Sequence, residues 1–170
     1  MFDRRRALLT MAAGVASMGG LPGCAKSGKP VTGGADPRLA EYGMPLETAP
    51  HERTFMQWPV SLGIYDPPSL RRVQASIALI ANTISSYEPV VMLVAKRDMA
   101  AARIALSAAI ELWDIPTDDL WCRDSGPTFV KDAKGDLAVA HIRFNGWGNK
   151  QPHHNDAMIA PRIAERLGMT

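Results

Sequence analysis

The chain alternates between short runs of consecutive apolar residues and longer segments in which apolar residues recur every three or four positions. Residues 90–95 form a continuous apolar run, typical of a strand buried on both faces of a sheet. From Ser69, a suitable N-cap, to roughly Tyr87 the apolar spacing predicts a helix. Its buried stripe is predicted to consist of Leu70, Val73, Ile77, Ile80 and Ile84. Strands that alternate with helices predict an α/β protein.

Similar patterns predict the other elements of the fold. They are a strand over 54–58, a helix over roughly 99–109 capped by Asp98, and a strand over 110–115. A hairpin follows, in which residues 129–130 and 137–144 flank a turn at 132–135. The last element is a helix over roughly 156–168 that is ended by Gly168. Pro161 fits the last helix only in its first turn, because proline has no backbone N–H to donate. The sequence therefore predicts three strands joined by helices, followed by a hairpin and a closing helix.

Charge distinguishes the first residues from the rest of the chain. The 170 residues carry a formal net charge of +2, and residues 1–23 hold Arg4, Arg5 and Arg6 against Asp3. The remainder is therefore neutral overall. Nucleic-acid binding depends on clustered Lys and Arg, so this composition excludes a basic nucleic-acid-binding module, and we expect no nucleic-acid partner.

Residues 1–23 have the layout of a secretory signal peptide, with a basic start, an apolar stretch and small residues at the end. The paired arginines resemble a twin-arginine export signal, and LPGC at 21–24 resembles a bacterial lipobox whose Cys24 would be lipidated. Residues 24–37 have the composition of a linker, and 38–170 are predicted to form the folded domain. We therefore expect an exported protein, periplasmic or anchored to the membrane through a lipid on Cys24. The alternative is a poorly ordered N-terminal tail.

The segment 117–129, TDDLWCRDSGPTF, concentrates the candidate chemistry. Loops that leave the ends of buried strands are where α/β folds hold ligands. Asp124 with Trp121 would fit a guanidinium group, because a carboxylate accepts paired N–H bonds and an indole face stacks on delocalised positive charge. A second interpretation treats the acidic pair that opens the segment as solvated loop charges, pairs Asp124 with Arg123 or Arg143, and places Trp121 in the core.

A second unusual segment is 143–156, RFNGWGNKQPHHND. Gly146 and Gly148 around Trp147 allow tight backbone near a ligand or a neighbouring loop. The alternative is a surface loop with an anchoring aromatic residue. The two adjacent histidines point apart, which is poor geometry for a shared metal, so no metal site is predicted.

Four motifs follow one another along the chain. They are MPLE with PHERT at 44–54, WP at 58–59, DDLWCRDSGPTF at 118–129 and RFNGWG at 143–148. In this order they resemble the N-terminal portion of the agmatine deiminase family and of the related bacterial peptidylarginine deiminases. The resemblance implies a pentein fold, which is a propeller of five αβ modules around a central site. The chain would cover about two of the five.

The resemblance also implies an activity, the hydrolysis of agmatine to N-carbamoylputrescine and ammonia in putrescine biosynthesis. A cysteine thiolate would attack the guanidinium carbon while carboxylates hold its nitrogens and a histidine moves protons, without a metal or organic cofactor. By position, Asp124 matches the catalytic aspartate that holds the guanidinium, and Trp121 matches the adjacent tryptophan of the substrate site. Trp58, Asp119 and Arg123 match motif positions with supporting or lining roles in substrate binding.

Cys122 lies where the family often has methionine, so by position it is not the nucleophile. The family's nucleophilic cysteine and acid/base histidine have no counterpart in this chain. We therefore expect the chain alone to be inactive and to need further modules, or to self-associate through exposed strand edges. Two other functions remain open. One is a secreted peptidylarginine deiminase, and the other is a non-catalytic exported lipoprotein or remnant that binds guanidino compounds.

Overall fold

The structure is a computed structural model that describes residues 41–169. Its elements, in chain order, are β1 (Thr54–Gln57), α1 (Pro67–Ile84), β2 (Val90–Val94), a 3₁₀ helix (Lys96–Asp98), α2 (Met99–Ala105), β3 (Glu111–Asp114), α3 (Cys122–Ser125), β4 (Thr128–Lys131), β5 (Leu137–Ala140), α4 (Gly146–Asn149), a second 3₁₀ helix (Asp156–Met158) and α5 (Ile159–Leu167). The predicted signal peptide 1–23, the lipidation site Cys24 and the linker 24–37 lie outside these residues. Within 41–169, no helix is long and apolar enough to cross a membrane.

Strands β1, β2 and β3 form a parallel sheet in that order. Val91 of β2 pairs with Phe55 of β1 and with Glu111 of β3. Parallel neighbours need crossover connections, which α1 and α2 supply. Strands β4 and β5 form a separate antiparallel hairpin, to which Gly43 adds an isolated bridge with Lys131. The α/β fold expected from the sequence is confirmed.

Strand β2 separates two apolar layers, because successive side chains of a strand point to opposite faces of the sheet. Val90, Met92 and Val94 contact a cluster to which α1 and α2 contribute. Val91 and Leu93 contact a second cluster that includes the buried face of α5. All five residues are buried, as the continuous apolar run predicts.

The start and the buried face of α1 differ from the prediction. The N-cap is Asp66, whose carboxylate accepts the Ser69 N–H at 2.9 Å. The helix begins before Ser69 because its first two positions are prolines, whose fixed φ suits a first turn. Ile80 is 47% exposed, whereas Ala78 and Ala81 are buried, since the alanine side of the helix contacts the sheet. The other members of the predicted stripe are buried or half-buried.

The ends of two more elements differ from the prediction, and the end of a third agrees with it. Helix α2 ends at Ala105 instead of 109, because Leu106 is extended (φ −100°, ψ 141°) and inserts into the core. Strand β5 ends at Ala140 instead of 144. Helix α5 ends at Leu167 and is followed, as predicted, by Gly168 at the C-cap, whose φ of 64° is left-handed.

Polar segments gather where the strands of the sheet end. Gln57 is the last residue of β1, and the segment 115–121 follows β3 on the same edge, because the carboxyl ends of parallel strands coincide. The turn that leads into α5 approaches this edge and contacts the segment through Asp156. The candidate site lies here.

Candidate functional site

A buried carboxylate lies at the carboxyl edge of the sheet. Asp156 is 2% exposed and accepts three hydrogen bonds. Its Oδ1 accepts Gln57 Nε2 at 3.1 Å and the Asp118 N–H at 2.8 Å, and its Oδ2 accepts the Asp119 N–H at 3.1 Å. Burial raises the pKa of Asp156 to about 6 against the opposing effect of the backbone hydrogen bonds, and the neighbouring Asp118 and Asp119 carboxylates add to the rise.

Asp118 binds the turn before α5 in the same manner. Its Oδ2 accepts the backbone N–H of Asn155 at 2.7 Å and of Asp156 at 3.2 Å, and its Oδ1 accepts Asn155 Nδ2 at 2.9 Å. Each aspartate therefore accepts hydrogen bonds from the backbone next to the other. We call Asp118 and Asp156 the aspartate clasp. It fastens the segment after β3 to the turn before α5.

Asp119 points into the same buried region and is 1% exposed. Its Oδ1 accepts Tyr65 Oη and the Leu120 N–H, the latter at 2.8 Å, while its Oδ2 accepts Gln151 Nε2 at 3.2 Å. Burial raises the pKa of Tyr65, and its hydrogen bond to Asp119 adds to the rise. Both carboxylate oxygens of Asp119 are thus bound within the protein.

Gln57 connects this network to α3. Its Oε1 accepts Ser125 Oγ at 2.6 Å, and the same hydroxyl lies 3.0 Å from the Trp121 carbonyl oxygen. Because Gln57 Nε2 donates to Asp156, one amide side chain bridges the aspartate clasp and the last residue of α3. Helix α3 is thereby fixed at the sheet edge, with Trp121 at its N-cap position.

Four side chains at the surface form what we call the indole–carboxylate cluster, namely Trp121, Asp124, Phe144 and Trp147. Trp121 and Trp147 are 48% and 40% exposed, and their rings meet edge to face with centroids 6.2 Å apart. Trp147 Nε1 donates to Asp124 Oδ1 at 3.3 Å, and Phe144 packs against Trp147 with centroids 5.0 Å apart. An exposed carboxylate beside two indoles suits a planar cation.

The turn that carries Trp147 has left-handed backbone. Trp147 has φ 52° and ψ 48°, and Gly146, Gly148 and Asn149 also have positive φ. A Cβ at Gly146 would lie 2.5 Å from His153 Nδ1, so only glycine fits there. This tight turn brings the indole of Trp147 to Asp124.

The structure brings together two of the predicted site residues, Trp121 and Asp124. The other three predicted site residues lie outside the indole–carboxylate cluster. Trp58 packs in the core beneath α1, and Asp119 belongs to the buried network. Arg123 is exposed and forms an ion pair with Glu47 at 2.9 Å.

The second interpretation of this segment is wrong in three respects. The acidic pair at 118–119 is not solvated, because its carboxylates bind the backbone and side chains of neighbouring turns. Trp121 is half-exposed and lies outside both core clusters. Asp124 contacts Trp147 and forms no ion pair with any residue between 41 and 169.

Sequence reasoning missed Gln57, Tyr65 and Asp156 as parts of the site. A glutamine that ends an apolar strand is the only local signal for Gln57. Asp156 stands at the start of a helix, where a carboxylate more often faces solvent. Trp147 was singled out by its flanking glycines, but its contact with Asp124 joins residues 23 positions apart.

Neither the cysteine nor the histidines near the site are arranged as reactive groups. Burial raises the pKa of the Cys122 thiol to about 12, with the Asp156 charge as a smaller cause. His153 Nδ1 lies 2.9 Å from the Gln151 carbonyl oxygen. His51 lies away from the site, where it pairs at 2.7 Å with Glu88 next to the start of β1. In the described part of the chain no group of three His, Cys, Asp or Glu could hold a metal.

The family model of the Porphyromonas-type peptidyl-arginine deiminases matches residues 43–170. The chain belongs to this family. The resemblance inferred from the four motifs is thereby confirmed. The match covers every residue of the aspartate clasp and of the indole–carboxylate cluster.

Similar proteins include agmatine deiminases of Stutzerimonas stutzeri and Pseudomonas aeruginosa. The first is 40% identical over 119 residues, which is 67% of this chain and 31% of that protein. The second is 36% identical over 139 residues, which is 76% of this chain and 36% of that protein. A solved agmatine deiminase of Enterococcus faecalis matches 78% of this chain and 38% of its own, with TM-score 0.71 and 27% identity. This chain thus spans less than two fifths of the length of these relatives.

Proposed function

We propose that the chain supplies the guanidinium-binding wall of an agmatine deiminase site. The observation that carries the proposal is the indole–carboxylate cluster, in which Asp124 accepts a hydrogen bond from the half-exposed indole of Trp147, and that indole meets the ring of Trp121 edge to face. Asp124 would accept N–H bonds from the planar cation, and Trp121 and Trp147 would stack on or enclose it. Agmatine deiminases of similar sequence support agmatine as the substrate.

The reaction needs a nucleophile that Cys122 is poorly suited to provide. A thiol with pKa about 12 carries almost no thiolate at neutral pH. We therefore place the attacking thiolate and the proton-transferring histidine outside residues 41–169. The thiolate would add to the guanidinium carbon, ammonia would leave, and water would release N-carbamoylputrescine and restore the thiol. Without those groups, we expect the 170-residue chain to release no ammonia from agmatine.

The match to solved agmatine deiminases also supports a place for this sheet and hairpin in a pentein-type propeller. In that arrangement further modules would lie against the edges of the sheet. The carboxyl edge, where the cluster lies, would face the centre of the propeller. The site would be completed by groups from other modules.

A second candidate substrate is a peptidyl arginine, which the family description favours, and we take a peptide with C-terminal arginine to represent it. It presents the same guanidinium group, but where agmatine ends in an amine the peptide has an amide nitrogen, and the carbon that bears this nitrogen also carries a carboxylate. The Asp124 contact would be shared by both substrates. Binding of the two ligands to one protein therefore separates the candidates.

The test is isothermal titration calorimetry of the full chain with agmatine and with an arginine-terminated dipeptide. We expect saturable agmatine binding that Asp124→Asn weakens by about tenfold or more, because a hydrogen bond to a charged group contributes about 1.5–3 kcal/mol. Asp136→Asn is the matched control. It removes the same charge from the exposed β4–β5 turn, whose hydrogen bond to Asp132 uses the backbone N–H of residue 136.

Equal agmatine affinity in wild type and Asp124→Asn would contradict the proposed site. Tighter binding of the dipeptide than of agmatine would favour the peptidylarginine candidate. Release of ammonia by the chain with the substitution Cys24→Ser would contradict the placement of the nucleophile outside residues 41–169.

A further inference from the structure

The segment that carries the candidate guanidinium site is anchored at both ends through one buried side chain. At its beginning, the backbone N–H groups of Asp118 and Asp119 donate to the Asp156 carboxylate. At its end, Ser125 donates to Gln57, which in turn donates to Asp156. Trp121 and Asp124 lie between these two anchors.

The anchoring is stiff because the Asp156 carboxylate is buried and bound by directional donors. No Lys or Arg side chain in the described residues lies within ion-pair distance of it, so its partners are N–H groups that point in fixed directions. Asp118 strengthens the same junction from the opposite side, through the backbone of Asn155 and Asp156. Buried polar groups that are fully satisfied in this way specify one local arrangement.

We propose that Asp156 is a positioning residue for the guanidinium site, acting through segment 118–125 to hold Trp121 and Asp124 against Trp147. The identity of the ligand in this proposal rests on the proposed function, whereas the positioning of the side chains does not depend on it. Asp156 itself is buried, so we assign it no contact with the substrate. Its role is to fix the direction of the chain from which the substrate-contacting side chains project.

Replacement of Asp156 by asparagine keeps the size of the side chain and removes one acceptor. The new amide can still accept with its oxygen, but its NH₂ group would face a backbone N–H that donates at present to Oδ2. One of the two directional bonds at the start of the segment is then lost. The segment is expected to shift without loss of the core.

The experiment is ¹⁹F NMR of the full chain labelled with 5-fluorotryptophan, which reports on the four tryptophans separately. In Asp156→Asn we expect the Trp121 and Trp147 resonances to move or broaden, by more than those of Trp58 and Trp113. The two core tryptophans show whether the sheet remains folded. Asp136→Asn, on the exposed turn, should leave all four resonances in place.

Agmatine affinity is measured on the same samples. We expect Asp156→Asn to weaken it by about fivefold or more, with the Trp58 and Trp113 resonances retained. If Asp156→Asn does not fold, Ser125→Ala breaks the other anchor, because it removes the hydroxyl that binds Gln57 and the Trp121 carbonyl oxygen. It should then move the Trp121 and Trp147 resonances in the same way.

Unchanged Trp121 and Trp147 resonances in a folded Asp156→Asn protein, or in Ser125→Ala if the first does not fold, would overturn the proposal. Equal shifts of all four resonances would also overturn it, because they would indicate a general structural role. Wild-type protein that does not bind agmatine would contradict the proposed function alone. The resonances would still decide the positioning role.

Discussion

Asp156 should make the stability of the fold depend on pH in a direction unusual for an aspartate. Burial raises its pKa from the ordinary value of 3.8 to about 6, so the folded chain binds this proton more tightly than the unfolded chain does. The resulting stabilisation is complete below about pH 4 and is lost as pH rises through about 6. Each pKa unit corresponds to about 1.4 kcal/mol, which gives about 3 kcal/mol in total.

Urea denaturation between about pH 4 and 7.5 measures this contribution in wild type and in Asp156→Asn. Other groups act oppositely, since hydrogen bonds lower the pKa of both Asp66 and Glu88. Subtracting the variant's free energy of unfolding from that of the wild type cancels their effect. We expect this difference to fall by about 3 kcal/mol across the range. A difference that stays constant with pH would refute the reasoning.

Two further predictions concern the core and the thiol. Ile163→Ala, at a fully buried position beneath the sheet, should lower the free energy of unfolding by about 2–5 kcal/mol in urea denaturation, whereas Ile104→Ala, at an exposed position, should change it by less than about 0.5 kcal/mol. Equal losses would contradict the described core. In a Cys24→Ser background, iodoacetamide should alkylate Cys122 about a thousandfold more slowly than free cysteine at about pH 8, because a thiol of pKa about 12 carries little thiolate. A rate near that of free cysteine would show that the thiol is accessible and ionisable.

Local patterns were sufficient to predict most elements of the fold. The apolar run of β2 reflects burial on both faces of the sheet, and the glycine that ends α5 reflects a left-handed backbone that favours glycine. The start of α1 could not be taken from its best-looking cap, because two prolines begin the helix ahead of Ser69. The exposure of Ile80 depends on how the helix is rotated against the sheet, which spacing alone does not determine.

For the candidate site, the sequence indicated which residues carry chemistry but not which of them face solvent. Trp121 and Asp124 were predicted from the compatibility of an indole and a carboxylate with a guanidinium, and they do lie together at the surface. The burial of Asp119 could not be foreseen, because its partners Tyr65 and Gln151 are 54 and 32 positions away. Long-range hydrogen bonds of this kind have no local pattern in the sequence.

The left-handed backbone of Trp147 sets two aims of protein engineering against each other at one position. Glycine or asparagine would adopt φ 52° more easily than tryptophan, by about 1 kcal/mol, so a library varied at 147 and sorted only for heat resistance should abandon the indole. A library sorted for retention of a guanidinium ligand should keep an aromatic residue there. The two sorted populations would diverge at this codon while agreeing at the core positions around β2.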